Sequence, residues 1–179
     1  VTQLGRPDLK LFHRKVQMIF QDPYETLNPR FTIYSSVVEP LEILGSLSRK
    51  ERLEKVETAM TSVGLTPPEQ FIHRFPHELS GGQRQRVSIA RAMISGPELV
   101  VADEPVSMLD VSIRASVMNL MLTLKEQLGV TYIFITHDLS VSRYMCDRIV
   151  VMYLGKVMEI GPRDDVIQNP LHPYTQLLV

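Results

Sequence analysis

Hydrophobic and polar residues follow two patterns along the chain, and together they predict strands separated by helices. Short apolar runs predict strands at 15–20, 99–102 and 131–135, and a hairpin of two strands at 148–153 and 156–160. Apolar residues at helical spacing, bounded by capping or helix-ending residues, predict helices at 8–14, 32–44, 48–63, 81–94, 111–128, 139–145 and 164–168. Because the run at 99–102 has no polar interruption, we expect that strand to be buried on both faces.

Start and stop signals define the predicted helices. Ser48 with Glu51 and Ser80 with Gln83 have the spacing of capping boxes, in which each side chain binds the other residue's backbone N–H. Pro40 is expected to kink or interrupt its helix. The residues predicted to face inward are Leu53, Val56, Met60 and Val63 in one helix, Val87, Ala90 and Ile94 in the next, and Val117, Leu120, Met121, Leu124 and Leu128 in the longest. Pro23, Asn28 and Pro29 predict an irregular loop.

The order of these elements predicts an α/β fold. A strand, a helix and a second strand at this spacing form a parallel sheet with helical crossovers. The stretch from 26 to 95 contains no convincing strand, and we interpret it as a helical subdomain inserted into the α/β core. The predicted segments are therefore residues 1–25, 26–95 and 96–179.

Composition narrows the class of protein. The chain has 179 residues, of which 44% are hydrophobic, enough for a substantial core. Its net charge of −1 provides no basic field, so we expect no nucleic-acid partner. Cys146 is the single cysteine, which is typical of a reducing compartment. The polar, mixed residues 1–10 give no indication of a signal peptide, so we expect none, and no apolar run reaches the ~18 residues that a membrane span requires.

The residues around Ser80 form a possible anion site. Ser80 caps a helix whose first turn contains Gly81 and Gly82, so a ligand could reach the free backbone N–H groups. The positive end of the helix dipole favours a phosphate at this position. A well-capped helix without a ligand would explain the same residues, and only the other motifs favour the phosphate.

Polar residues follow three of the predicted strands. Gln21 follows the first, Asp103 and Glu104 follow the strand at 99–102, and His137 follows the strand at 131–135. Because ligands bind at the carboxyl ends of parallel strands, we expect these four side chains to converge. Asp103 could hold Mg²⁺, and Glu104 could orient or deprotonate an attacking water.

In the same arrangement, His137 could bind a transferring phosphoryl oxygen, and Gln21 could reach the metal or the water. Such a set suits phosphoryl transfer, which depends on positioning and electrostatic stabilisation. Taken singly, an Asp-Glu pair is commonly a solvated turn, and a lone histidine is commonly structural. Their joint occurrence at strand ends favours function. The other histidines and Cys146 lack metal-ligand spacing, so we expect no zinc site.

These motifs resemble those of the ATP-binding subunits of ABC transporters over essentially the whole chain. Residues 79–83 match the signature motif, 99–104 look like the Walker B strand with its catalytic Glu, and Gln21 matches the Q-loop. Residues 107–110 resemble the D-loop, with Met108 in place of the expected alanine, and His137 matches the switch histidine. The resemblance implies a P-loop NTPase (RecA-like) core with an inserted α-helical subdomain.

A narrower resemblance is to the peptide-importer branch of that family. It is carried by Phe-Gln-Asp-Pro-Tyr at 20–24, Leu-Asn-Pro-Arg at 27–30 and Asn-Pro-Leu-His-Pro-Tyr-Thr at 169–175. Nickel importers share much of this pattern, so a nickel importer is an alternative. The transported solute is expected to be selected by other subunits.

The family resemblance implies a mechanism with ATP and Mg²⁺. Two ATPase subunits would dock head to tail, with Ser80, Gly81, Gly82 and Gln83 acting on the partner's ATP. Asp110 would belong to the same nucleotide site. Asp103 and Gln21 would serve the metal, Glu104 the water and His137 the phosphoryl oxygens.

The resemblance also implies partners and a location. The ATPase dimer would work with transmembrane permease subunits, contacted through residues 24–30, and indirectly with a solute-binding protein. Such a subunit would lie peripherally at the cytoplasmic face of the cell membrane.

One departure from the family concerns the phosphate-binding loop. The 179 residues contain no Gly-x-x-x-x-Gly-Lys-Ser/Thr, and Gly155-Lys156 lies in the predicted hairpin turn. We therefore expect a fragment without the N-terminal Walker A region, which alone binds ATP weakly or not at all. A non-catalytic module that supplies only a signature helix is an alternative. A DNA-repair or chromosome-organising ATPase is disfavoured by the short helical subdomain and the neutral charge.

Overall fold

The computed structural model describes residues 5–45 and 47–179, and the parts of the predicted segments that fall on residues 1–4 and 46 lie outside the described residues. The helices are α1 (Arg6–Lys15), α2 (Pro23–Thr26), α3 (Ile33–Leu44), α4 (Arg49–Ser62), α5 (Gly81–Met93), α6 (Val111–Leu128), α7 (Leu139–Met145), α8 (Arg163–Gln168) and α9 (Pro173–Leu178). The strands are β1 (Val16–Ile19), β2 (Leu99–Asp103), β3 (Thr131–Ile135), β4 (Arg148–Tyr153) and β5 (Lys156–Pro162).

The predicted strands and helices are all present, and the differences lie in short segments. The predicted loop after Gln21 contains α2, which Asp22 caps by accepting the Tyr24 N–H at 2.7 Å. Helix α9 was not predicted. Helix α3 continues through Pro40, so an interruption there is wrong, whereas a kink at Pro40 stays a prediction. Burial of Val37, Val38 and Leu41 on its inner face compensates for the hydrogen bond that proline cannot make.

The inward faces of the helices are narrower than predicted. In α4, Val56 and Met60 are fully buried, but Leu53 is 37% exposed and Ala59 lies in the buried stripe instead. In α6, Leu128 is 55% exposed because it occupies the last position before Gly129 ends the helix in the left-handed conformation. The other predicted positions of α6 are buried, except for Leu120, which is half-buried.

The first sheet carries the residues of interest at its strand ends. Its strand order is β1-β2-β3, and β1 pairs with β2 in parallel from Val16–Leu99 to Ile19–Ala102. Val100 and Ala102 of β2 are buried, whereas Leu99 and Val101 are half-buried, so the prediction of burial on both faces is wrong. Val101 borders a cavity of about 530 Å³ between the sheet and helices α3 and α5, which leaves this face partly open.

The described residues between 26 and 95 form helices and two short 3-10 turns, Pro68–Gln70 and Pro76–Glu78, without a strand. Arg86 of α5 joins this helical part together, since its guanidinium donates to the Val63 carbonyl at the end of α4 and to Ser116 Oγ of α6. The described chain divides into two compact units, with the boundary in the sequence after Ile133. The three-part division into 1–25, 26–95 and 96–179 stays a prediction.

The second unit, from Phe134 onward, contains the predicted hairpin. Strands β4 and β5 pair antiparallel, and Leu154 and Gly155 make the turn with φ of 46° and 75°. Both residues at positive φ match the two-residue turn whose twist suits a hairpin. Ile149 and Val151 of β4 pack with Val166 of α8 to form the core of this unit.

The segment after α8 is tied back to β5 by one carboxylate. Glu159 Oε1 accepts the Leu171 N–H and Glu159 Oε2 accepts the His172 N–H, each at 3.0 Å. These hydrogen bonds lower the pKa of Glu159, with the Leu171 bond contributing most. His172 Nδ1 then accepts the Tyr174 N–H at 3.0 Å and begins α9. None of the described helices has the length and apolar character needed to cross a membrane.

We predict that Glu159→Gln loosens the segment 169–178, because an amide offers one oxygen where the carboxylate offers two. Amide hydrogen exchange at neutral pH should become faster in this segment and stay unchanged in β4. Glu126→Gln, an exposed substitution on α6, is the matched control. Unchanged exchange in the Glu159 variant would show that the segment is held by other contacts.

The same contact predicts a pH dependence. Since the folded state lowers the pKa of Glu159, its contribution to stability is complete above the ordinary glutamate pKa and is lost as the pH falls through the lowered value. An NMR titration of the Leu171 amide should therefore have its midpoint below the ordinary pKa of glutamate. A midpoint at or above that value would contradict the assigned contact.

Candidate functional site

Helix α5 begins with the predicted capping box. Ser80 Oγ accepts the Gln83 N–H at 3.3 Å, and Gln83 Oε1 accepts the Ser80 N–H at 3.0 Å. The box uses the N–H groups of Ser80 and Gln83, whereas those of Gly81 and Gly82 take no part in it. Ser80 is exposed and the next three residues are half-buried, so this turn lies at the surface of the first unit.

The two glycines of this turn have different surroundings. A Cβ on Gly82 would lie 2.6 Å from Ile113 Cγ2 of α6, closer than real Cβ contacts allow. A Cβ on Gly81 would lie 3.7 Å from the Tyr24 hydroxyl, an ordinary contact distance. The sequence suggested ligand access as the reason for both glycines. At Gly82 the structure provides a further reason, which is the close packing of α5 on α6.

Gln21 and Glu104 meet at the end of the first sheet. Gln21 Nε2 donates a hydrogen bond to Glu104 Oε2 at 3.3 Å, although 83 positions separate the two residues. Asp103 is the last residue of β2, and both acidic residues are half-buried. The amide and the two carboxylates thus occupy the strand ends where the sequence predicted them.

The backbone at Glu104 is unusual for a residue with a side chain. Its φ is 43°, in the left-handed region that is sparsely populated outside glycine. Ser107 holds this turn, because its N–H and its Oγ–H both donate to the Glu104 carbonyl, at 3.1 and 3.0 Å. Such strained positions cluster at functional sites.

Asp110 and His137 are the other residues that the sequence predicted for the same chemistry. Asp110 precedes α6 and is exposed, and its side chain makes no cap hydrogen bond. His137 belongs to the second unit, between β3 and α7, and Asp138 beside it caps α7 by accepting the Ser140 N–H at 2.8 Å. The convergence of His137 with Gln21, Asp103 and Glu104 stays a prediction.

The first unit supplies oxygen ligands of the kind that Mg²⁺ prefers. The Asp103 carboxylate ends β2, and Gln21 directs its Nε2 to Glu104, so its Oε1 is the amide atom left for a cation. Among the described residues, no group of three or more His, Cys, Asp or Glu side chains is arranged to hold a metal. One carboxylate and one amide oxygen are donors of the type that binds Mg²⁺ together with water and phosphate oxygens.

Sequence reasoning missed a contact between the Gln21 loop and helix α5. The Arg84 guanidinium carbon lies 3.9 Å from the centre of the Tyr24 ring, and Arg84 Nε donates to the Pro76 carbonyl at 2.6 Å. No sequence signal links Tyr24 to Arg84, because 60 positions separate them and neither residue type is unusual in its own segment.

The chain matches known families in two regions. Residues 2–107 match the family described as ABC transporter, and residues 158–179 match the one described as oligopeptide/dipeptide transporter, C-terminal region. The oligopeptide transport ATP-binding protein OppF of Bacillus subtilis is 51% identical over 176 residues, which is 98% of this chain and 57% of OppF. The dipeptide transport ATP-binding protein DppF of Escherichia coli is 50% identical over 170 residues, 95% of this chain and 50% of DppF.

Solved structures agree in fold. The ATP-binding cassette MJ0796, determined as a dimer in a post-hydrolysis state with ADP and Pi, is 32% identical with a TM-score of 0.75, over 90% of this chain and 68% of that one. CbiO1 from Clostridium perfringens, part of the transporter complex cbiONQ, is 28% identical with a TM-score of 0.80, over 92% of this chain and 64% of that one. The chain spans about half the length of the curated relatives that it matches.

We predict that Gly82→Ala destabilises the first unit by about 1–3 kcal/mol, because the new methyl group meets Ile113. Gly81→Ala is the matched control and should change the free energy of unfolding little, since its Cβ has room. Urea denaturation measures both variants. Adding Ile113→Ala to Gly82→Ala should recover part of the loss, and no difference between the two alanine variants would contradict the packing argument.

Proposed function

The chain belongs to the ABC transporter family, and on that premise we propose that it is the ATP-binding and ATP-hydrolysing part of a peptide importer. The contact between Gln21 and Glu104 at the end of β2 carries the proposal, because it pairs the two residues that the chemistry needs. The family match over residues 2–107 supports it.

In the proposed reaction, Glu104 orients the attacking water and accepts its proton. The hydrogen bond from Gln21 holds the Glu104 carboxylate toward the strand ends, and the turn fixed by Ser107 keeps the Glu104 backbone in place. Asp103 and Gln21 would hold Mg²⁺, and the ion would neutralise charge on the phosphate oxygens. The role proposed for His137 is to stabilise the transferring phosphoryl group.

The start of α5 acts on the ATP of a second ATPase subunit in a head-to-tail dimer. The N–H groups of Gly81 and Gly82 remain outside the capping box and point along a helix end that favours an anion. Ser80, Gln83 and Asp110 complete this proposed nucleotide surface. The dimer reported for the ATP-binding cassette MJ0796 supports such an assembly.

Peptides are the proposed cargo class of the importer. Two observations favour them over nickel: the match of residues 158–179 to the oligopeptide/dipeptide transporter region, and the peptide transport named for the relatives. Transmembrane permease subunits are the proposed partners, contacted through residues 24–30, with a solute-binding protein acting indirectly. The subunit would then lie peripherally at the cytoplasmic face of the membrane.

A second candidate is a non-catalytic module that supplies only residues 80–83 at the start of α5, the signature turn, to another subunit's ATP. The observation that favours it is the absence of Gly-x-x-x-x-Gly-Lys-Ser/Thr from the 179 residues. The two candidates differ in whether the subunit itself binds ATP. The first candidate binds ATP when a phosphate-binding loop is present, whereas the second has no ATP site of its own.

We predict that Glu104→Gln, in a full-length version with a phosphate-binding loop, lowers the ATPase kcat by about 100-fold or more while ATP binding is retained. The amide keeps the size and the hydrogen-bonding reach of the carboxylate but cannot accept the proton. Phosphate release measures turnover, and Glu126→Gln on α6 is the control. Near-normal phosphate release from the Glu104 variant would remove this residue from its proposed role.

We also predict that the 179-residue chain alone binds Mg-ATP weakly or not at all, since it lacks the loop that surrounds the phosphates. Isothermal titration with Mg-ATP measures the affinity, and the full-length version is the positive control. Micromolar binding by the 179-residue chain would contradict the prediction.

A further inference from the structure

The segment from Gln21 to Thr26 connects the strand-end site to helix α5. At its start, Gln21 donates to Glu104, and at its end the Thr26 carbonyl accepts a hydrogen bond from Arg91 of α5 at 3.2 Å. Between them, Asp22 caps α2 by accepting the Tyr24 backbone N–H at 2.7 Å. Hydrogen bonds therefore hold the segment both to the Glu104 carboxylate and to helix α5.

Tyr24 makes the contact that reaches the signature turn itself. Its ring lies under the Arg84 guanidinium at 3.9 Å from the ring centre, and its hydroxyl lies 3.7 Å from the Cβ position of Gly81. Tyr24 is 59% exposed, so burial of apolar area does not account for its placement. A cation over an aromatic face is attracted by the ring quadrupole, which makes this a directional contact.

Arg84 carries that contact into the loop before the helix. Its Nε donates to the Pro76 carbonyl in the 3-10 turn that leads to Ser80, while its guanidinium carbon stays over the Tyr24 ring. The Tyr24 ring and the loop before Ser80 thus hold one guanidinium from two sides. A shift of the Gln21 segment would move the ring and, through Arg84, the first turn of α5.

We propose that Tyr24 is a positioning residue that couples the Gln21–Glu104 site to the signature turn of the same subunit through Arg84. This inference rests on the proposed function, because it assigns a role within ATP hydrolysis. In the dimer, ATP bound at one subunit's own site would then affect the position of that subunit's signature turn against the partner's ATP.

The test is ATPase kinetics of the full-length protein, purified without permease so that loss of a permease contact cannot affect the result. Tyr24→Leu should lower kcat about fivefold and leave KM within about twofold, because the signature turn acts during closure and hydrolysis. Tyr24→Phe should retain kcat, since the ring over Arg84 remains. Phe31→Leu, at an aromatic residue of 43% exposure in the same subdomain, is the matched control.

A double substitution separates coupling from a general loss of packing. In an Arg84→Met background, Tyr24→Leu should have no further effect on kcat, because the partner of the ring is already gone. Unchanged kcat in Tyr24→Leu, an equal loss in the Arg84→Met background, or an equal loss in Tyr24→Phe would each overturn the proposal. Tyr24→Gln replaces the leucine variant if that variant does not fold.

Failure of this inference is distinguishable from failure of the proposed function. If Glu104→Gln abolishes turnover while Tyr24→Leu behaves as the unsubstituted protein, hydrolysis stands and the coupling role falls. If the full-length protein hydrolyses no ATP at all, the proposed function fails, and the coupling role fails with it.

Discussion

Hydrogen bonds from arginine side chains connect helix α5, whose inner face is buried, to carbonyl groups of three neighbouring segments. Arg84 binds the Pro76 carbonyl, Arg86 the Val63 carbonyl and Arg91 the Thr26 carbonyl. Each acceptor belongs to a turn or a helix end, and the Pro76 carbonyl also accepts the Leu79 N–H of its own turn at 3.1 Å. A guanidinium carries several donors in a fixed plane, so one side chain can satisfy such an acceptor and hold a second contact as well. The remaining elements of the first unit are arranged around the helix held in this way.

The glycines of the signature turn serve two purposes, ligand access and close packing of helices, and a sequence pattern does not distinguish them. Its capping box occupies the N–H groups at Ser80 and Gln83, which leaves those of Gly81 and Gly82 for an anion. The same glycines set the distance to neighbouring elements, and Ile113 fills the space where a side chain at Gly82 would be. Access for a ligand and close approach of two helices therefore select the same residue, and a motif match alone cannot say which demand is stronger.

Much of the fold could be predicted because its signals are local. Capping residues, apolar spacing and turn residues gave the positions of α4, α5, α7 and the β4–β5 hairpin. The errors arise where distant residues decide. Helix α3 continues through Pro40 because its inner face is buried. Val101 is half-buried because it borders the open cavity. The segment that leads into α9 is held by Glu159, which lies on strand β5. In the site, the strand-end positions of Gln21, Asp103 and Glu104 follow from the parallel sheet, whereas the contact between Tyr24 and Arg84 depends on tertiary structure alone.

The left-handed backbone at Glu104 sets the stability of the fold against the catalytic role proposed for this residue. An L-residue held at this φ costs on the order of 1 kcal/mol relative to glycine, and that cost is independent of the carboxylate. Glycine at position 104 would relax the turn and make the unit more resistant to unfolding, yet it would leave Gln21 without its partner. A substitution chosen only for resistance to heat would therefore remove the carboxylate to which the proposed hydrolysis is assigned.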